Sequence, residues 1–131
     1  MSRVIGQDHE NAVVEFLRRS GWHILCQNYY TVRGEVDILA QFIGLDHSNV
    51  SQGEVAIIEV KYRKCRSSWS IDLVPNRKRL ALCRVALVIE EALMSGEIVH
   101  PIEISGYQFV LVLVEGTQFQ IVWNAFDDIL G

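Results

Sequence analysis

Residues 55–61 (VAIIEVK) constrain the fold more than any other part of this chain. They read as a buried strand that becomes charged, on one side only, at its end. A strand covered along most of its length needs further layers packed on the sheet that holds it. The flanking sequence supplies them. Asp8 is placed to cap a helix running to about Ser20, where Gly21 stops it. Residues 23–31 and 35–40 read as strands joined at Arg33-Gly34, and the polar stretch 44–53 reads as a loop. Pro75 and Asn76 precede a helix of about 77–94, nearly all apolar after Leu80 and therefore expected to pack on more than one side. Strands at 107–114 and 118–123, joined at Glu115-Gly116-Thr117, and a short helical end at 125–130 complete the chain. The order α-β-β-β-α-β-β-α predicts an α/β (α+β) layer fold with a central mixed sheet flanked by helices.

At 131 residues, 50% of them apolar, the chain has material for one domain and enough core to exclude disorder. The longest unbroken apolar run, 109–114, is far shorter than the ~18 residues of a membrane span. The first ten residues contain no apolar segment of the secretory type. Three cysteines, Cys26, Cys65 and Cys83, make an odd count without metal-ligand spacing. They fit a reducing compartment and no disulfide framework. The expectation is a single cytoplasmic domain, 1–131, with no membrane association. No repeat or linker divides it.

The formal net charge of −4 hides a strong asymmetry. Residues 61–84 carry eight of the twelve Lys and Arg against Asp72 alone, while residues 85–131 carry none. A polyanion responds to such a local field, whatever the total charge. Lys61, Arg63, Lys64, Arg66, Arg77, Lys78 and Arg79 therefore read either as a solvated face or as a phosphate-binding patch. Trp69, between the two basic clusters, reads either as a packed residue or as one that stacks on a base.

Strand alternation puts Glu59 and Lys61 on one face with Val55 and Ile57, and puts Glu35, Asp37 and Leu39 on one face of the preceding strand. If the two segments pair, Asp37 and Glu59 approach each other. A close pair of carboxylates with no cation between them repels, so at least one is expected to hold its proton above the ordinary range. Two carboxylates and a lysine make a hard-oxygen site suited to Mg²⁺ or Mn²⁺. Glu10 falls between Val14 and Leu17 around the first helix, on the side that should face the protein. The alternative is a strand-end ion pair between Glu59 and Lys61, worth little. The four histidines have no ligand spacing, and Cys26 and Cys83 lie in apolar segments.

These residues make the chain resemble the YraN-like family of small bacterial proteins, grouped with the PD-(D/E)xK nucleases and similar to archaeal Holliday-junction resolvases. The resemblance is carried by Gly6, Glu10 and Ala12; by 21–25 (GWHIL) and Asn28; by 34–40 (GEVDILA); by Glu59-Val60-Lys61 with Arg63; by Lys78; and by 124–126 (NAF). It implies a restriction-endonuclease-like α-β-β-β-α-β core. It also implies a metal-dependent endodeoxyribonuclease acting on branched DNA or on recombination and repair intermediates. Asp37 and Glu59 would hold the metal, Lys61 would be the catalytic lysine, Glu10 a further acid, and Lys78 a phosphate contact. The alternative is a non-catalytic nucleic-acid-binding or partner-binding module on the same fold. Two departures stand out: the loop between the motif strands is long, and the family's Arg-Phe-Asp is here Gln108-Phe109-Val110. Cleavage of two strands is compatible with a homodimer, by analogy alone.

Overall fold

The computed structural model describes residues 2–62 and 76–125. Helix α1 (Ser2–Arg19) is followed by strands β1 (Trp22–Thr31), β2 (Gly34–Phe42) and β3 (Glu54–Tyr62). Helix α2 (Asn76–Ser95) and strands β4 (Gly106–Glu115) and β5 (Gln118–Val122) come next. The sheet order is β1-β2-β3-β4-β5, with β3–β4 parallel and the other pairs antiparallel. A parallel pair needs a crossover, and α2 lies on that connection. The first six elements thus follow the α-β-β-β-α-β order of a restriction-endonuclease-like core, and β5 extends it as a hairpin.

Strand β3 takes the centre of the sheet because it is apolar on both faces. Val55 and Ile57 pack under α2 with Leu82, Val85 and Ile89. Ala56 and Ile58 pack under α1 with Val13, Val14 and Leu17. Gly21 ends α1 with φ 98°, a conformation that costs glycine nothing. A Cβ there would stand 3.1 Å from the Phe42 ring. The β1–β2 turn is tied by Thr31, whose Oγ1 accepts from the N–H groups of Arg33 and Gly34, both at 3.0 Å.

At the end of the sheet where β3 begins, two fully buried amides tie neighbouring loops to the sheet. Gln41 Nε2 donates to the carbonyls of Gly53 and Ile102, each at 3.0 Å, and its Oε1 accepts from Ile102 N–H. Gln108 Nε2 donates to Asn49 O and Glu54 Oε1, and its Oε1 accepts from Asn124 N–H.

The structure corrects two expectations. Helix α1 begins at Ser2, so Asp8 lies within it and is not its cap. Residues 2–7 hold no proline, and the single Gly6 costs only about 1 kcal/mol in a helix. Helix α2 buries only one side among the described residues; Leu80, Leu87 and Met94 are 57%, 67% and 78% exposed. The expected helical end at 125–130 lies outside the described residues from Phe126 on. No helix among the described residues is long and apolar enough to cross a membrane.

Candidate active site

Besides a bulge between Ile24 and Cys26, the β1–β2 ladder contains a rung that breaks the alternation. Gln27 pairs with Ile38 and Tyr29 with Val36, and the rung between them, Asn28 opposite Asp37, is missing from the ladder. On β2, Val36 and Leu39 both pack in the cluster under α2, whereas Ile38 and Ala40 pack under α1. Two consecutive residues, Asp37 and Ile38, therefore separate side chains that share a face. On β1, Cys26 and Tyr29 likewise share the α2 side. Asn28 makes this possible with φ 51°, a left-handed conformation that asparagine tolerates better than most residues. Because both strands are irregular at the same rung, the pairing beyond it stays in register.

The displaced rung sets Asp37. Its Oδ2 accepts a 2.8 Å hydrogen bond from Val60 N–H, at the end of β3 where the β2–β3 ladder has already stopped at Ile38–Ile58. A backbone N–H that points towards the next strand lies near the plane of the sheet. The Asp37 carboxylate therefore stands in the gap between β2 and β3, where it takes the place of a backbone acceptor. At such a rung the rule that residues two apart share a face is no guide to Asp37, since it holds only along an unbroken strand.

Glu10 comes to the same end from α1. It lies three, four and seven residues before Val13, Val14 and Leu17, which are all buried against the sheet, so it occupies the inward row of the helix. Its Oε1 is buried and accepts no hydrogen bond among the described residues. Burial raises its pKa, and the nearby carboxylates of Asp37 and Glu35 raise it further. A hydrogen bond from the Asn28 side chain opposes the shift. Glu10, Glu35, Asp37 and Asn28 thus form one polar group beneath the start of the α1 core.

On β3, Val55 and Ile57 face α2 while Val60 packs on the α1 side. Strict alternation then continues the Val55 row into Glu59 and Lys61. Glu59 is 8% exposed and Lys61 is half-buried. Asp37 is thus tied to the backbone of Val60, between the motif residues Glu59 and Lys61. Among the described residues no three His, Cys, Asp or Glu side chains close around one point. The donor set still fits a small hard cation. Mg²⁺ takes one or two carboxylates and keeps several waters, and a buried carboxylate oxygen without a hydrogen bond is the kind of acceptor such a shell uses.

Arg63, Lys64, Arg66, Cys65 and Trp69 lie outside the described residues. Arg77, Lys78 and Arg79 fall in the opening turns of α2, with their side chains outside the description. That helix starts at the end of the sheet where β3 finishes: Val85 stands 3.0 Å from where a Cβ on Gly34 would sit, at the first residue of β2. Val110, in place of the family's acid, pairs with Ile58 and packs with the α1-side core, so its apolar character suits its surroundings. Cys26 is half-buried, and burial pushes its thiol up to about 11, as fits a packed residue. Trp22 is buried and stacks on Trp123 at 6.3 Å. The sequence alone assigns no role to Asn28 or Glu35; the one signal for Asn28 is an asparagine inside a strand, where that residue is rare.

Comparison with known proteins places the chain in a family. The model of the uncharacterised protein family UPF0102 matches residues 9–114, which span Glu10, Asp37, Glu59 and Lys61. A UPF0102 protein of Desulfosudis oleivorans is 29% identical over 126 residues, covering 93% of this chain and 89% of its own. One from Pseudomonas fluorescens is 30% identical over 128 residues, covering 93% and 92%. One from Erythrobacter litoralis is 38% identical over 85 residues, covering 65% and 62%. With the family model and full-length relatives in agreement, the chain belongs to the uncharacterised protein family UPF0102, that of the YraN-like proteins.

Proposed function

We propose that this protein is a divalent-metal-dependent endodeoxyribonuclease. The observation that carries the reading is the displaced Asn28–Asp37 rung, which brings Asp37 to the backbone between Glu59 and Lys61, beside a buried oxygen of Glu10 that accepts no hydrogen bond among the described residues. Asp37 and Glu59 would hold Mg²⁺ or Mn²⁺. The bound ion would polarise a phosphoryl oxygen and acidify a water. Lys61, half-buried at the end of β3, would neutralise the phosphate as it approaches and orient the attacking water. Glu10 would accept hydrogen bonds from the water shell through its free oxygen. Asn28 would hold the other side of that carboxylate. Arg63, Lys64, Arg66, Arg77, Lys78 and Arg79 would bind the DNA backbone, with Trp69 stacking on a base.

Single-turnover cleavage of branched, single-stranded and duplex DNA in Mn²⁺ tests this, with Asp37→Asn beside the parent. Asparagine keeps an acceptor for Val60 N–H, so the variant should fold. It should also lose cleavage by about two orders of magnitude or more. If the parent cleaves no DNA and yet binds it with a steep salt dependence, the binding-module reading replaces the nuclease.

A further inference from the structure

Helix α2 carries a second surface, unrelated to the site at the end of β3. Its buried row, Leu82, Val85 and Ile89, faces the sheet. At 100° per residue Leu80, Leu87 and Met94 lie within about 40° of one another on the opposite side. They are 57%, 67% and 78% exposed. Single exposed apolar residues are ordinary, but three at a seven-residue spacing on the solvent face of one helix form a seam. Arg84 and Glu91 flank that seam on one side, again seven residues apart. They are about 10.5 Å apart along the axis, too far to pair with each other. Among the described residues neither forms an ion pair. An open cleft of about 530 Å³ lined by Arg33, Arg84, Leu87, Val88 and Glu91 runs along the same side.

We infer that this seam pairs with the α2 seam of a second copy of the chain, antiparallel, about a two-fold axis beside Leu87. The charges select that occupant and that orientation. Two antiparallel helices related by such an axis place equivalent flanks together, so position 84 of one copy faces position 91 of the other. Arg84 then meets Glu91 of the second copy, and Glu91 meets its Arg84. Leu87 packs on its own equivalent, and Leu80 packs against Met94. A parallel pair would bring none of these opposite charges together and would leave Leu80 facing Leu80. One patch that complements itself is what an isologous dimer requires. The expected surface of such a helix is polar, so the apolar row costs solubility unless it is covered.

The test is sedimentation of the full-length parent over a range of concentrations, with circular dichroism to confirm that each variant is folded. The parent should dimerise, and Leu87→Glu, at an exposed position, should remain folded and monomeric. Arg84→Glu and Glu91→Arg should each weaken the dimer by about tenfold or more, and the double variant should regain most of the loss. A monomeric parent overturns the proposal, whether the seam is bare or is covered by another segment or another protein. So does a dimer indifferent to Leu87→Glu, or a double variant as weak as the single ones.

Discussion

The two ends of strand β3 both hold buried polar side chains, and they are finished in opposite ways. Where β3 begins, every polar atom of Gln41 and Gln108 has a hydrogen-bond partner, most of them backbone groups of loops that the sheet must hold down. Where β3 ends, Asp37 stands in for a ladder carbonyl, and Glu10 keeps a buried oxygen that accepts nothing among the described residues. A satisfied buried amide contributes stability and specificity. An unsatisfied carboxylate costs stability until a cation, proton or water completes it. The first end is structure and the second is a place for chemistry.

The sharpest way to break this contrast is Lys61→Ala. If Lys61 acts on the attacking water, cleavage should fall by about two orders of magnitude or more, because the interaction develops in the transition state. Mn²⁺ affinity, read by titration, should stay the same or rise once the neighbouring positive charge is gone. An ion pair with Glu59 alone predicts full activity and at most about 1 kcal/mol of lost stability.

The opposite end should respond only in stability. Gln41→Leu removes an amide that ties Gly53 and Ile102: Ile102 N–H loses its acceptor, while Gly53 O keeps Ser105 N–H and Ile102 O keeps His100 Nδ1. Urea denaturation should show a loss of roughly 2–3 kcal/mol. Mn²⁺ affinity should not change. A matching fall in metal affinity would mean that the two ends are coupled and that the division between structure and chemistry is wrong.

Much of this layout is legible in the sequence, for particular reasons. The run VAIIEVK can be satisfied only at the centre of a sheet, and β3 lies there. Glu10 is recognisable because helix geometry puts it in the row of Val13, Val14 and Leu17, where a carboxylate has no reason to be. Asp37 is harder. Counting by twos assigns it to the Leu39 face, but the count loses its meaning at the missing rung, and a paired irregularity in β1 and β2 leaves no mark on the apolar pattern around it. The start of α1 is equally hidden, because Asp8 is as acceptable inside a helix as before one. For α2 the composition is a misleading guide: an apolar helix suggests burial on several sides, and here it marks an exposed seam.

Asn28 offers a finer test, because its backbone and its side chain can be separated. Asn28→Gly keeps the left-handed conformation and removes only the hydrogen bond to Glu10, whereas Asn28→Ala strains the backbone as well. Alanine should cost about 1 kcal/mol more than glycine in thermal or urea unfolding. Both should weaken Mn²⁺ binding by a similar, modest factor. If glycine binds Mn²⁺ as the parent does, Asn28 serves the bend of the hairpin and does not position Glu10.

The smallest effect is the pH dependence that Glu10 gives the metal-free protein. Its pKa is raised above the ordinary value near 4.5, first by burial and then by Asp37 and Glu35. The folded protein therefore binds this proton more tightly than the unfolded chain does. The sign follows from linkage: between the ordinary pKa and the raised one the folded state carries more protons, so stability falls as pH rises through that window. Glu10→Gln removes the group. The melting temperature of the variant should match the parent's at pH 4 and exceed it increasingly as pH rises to 7. Saturating Mn²⁺ should close most of that gap by stabilising the parent, because a cation relieves the same repulsion that the proton does. A gap that is constant with pH would assign the difference to packing around residue 10, and the buried oxygen would then be no readier for a cation than the amides at the other end of β3.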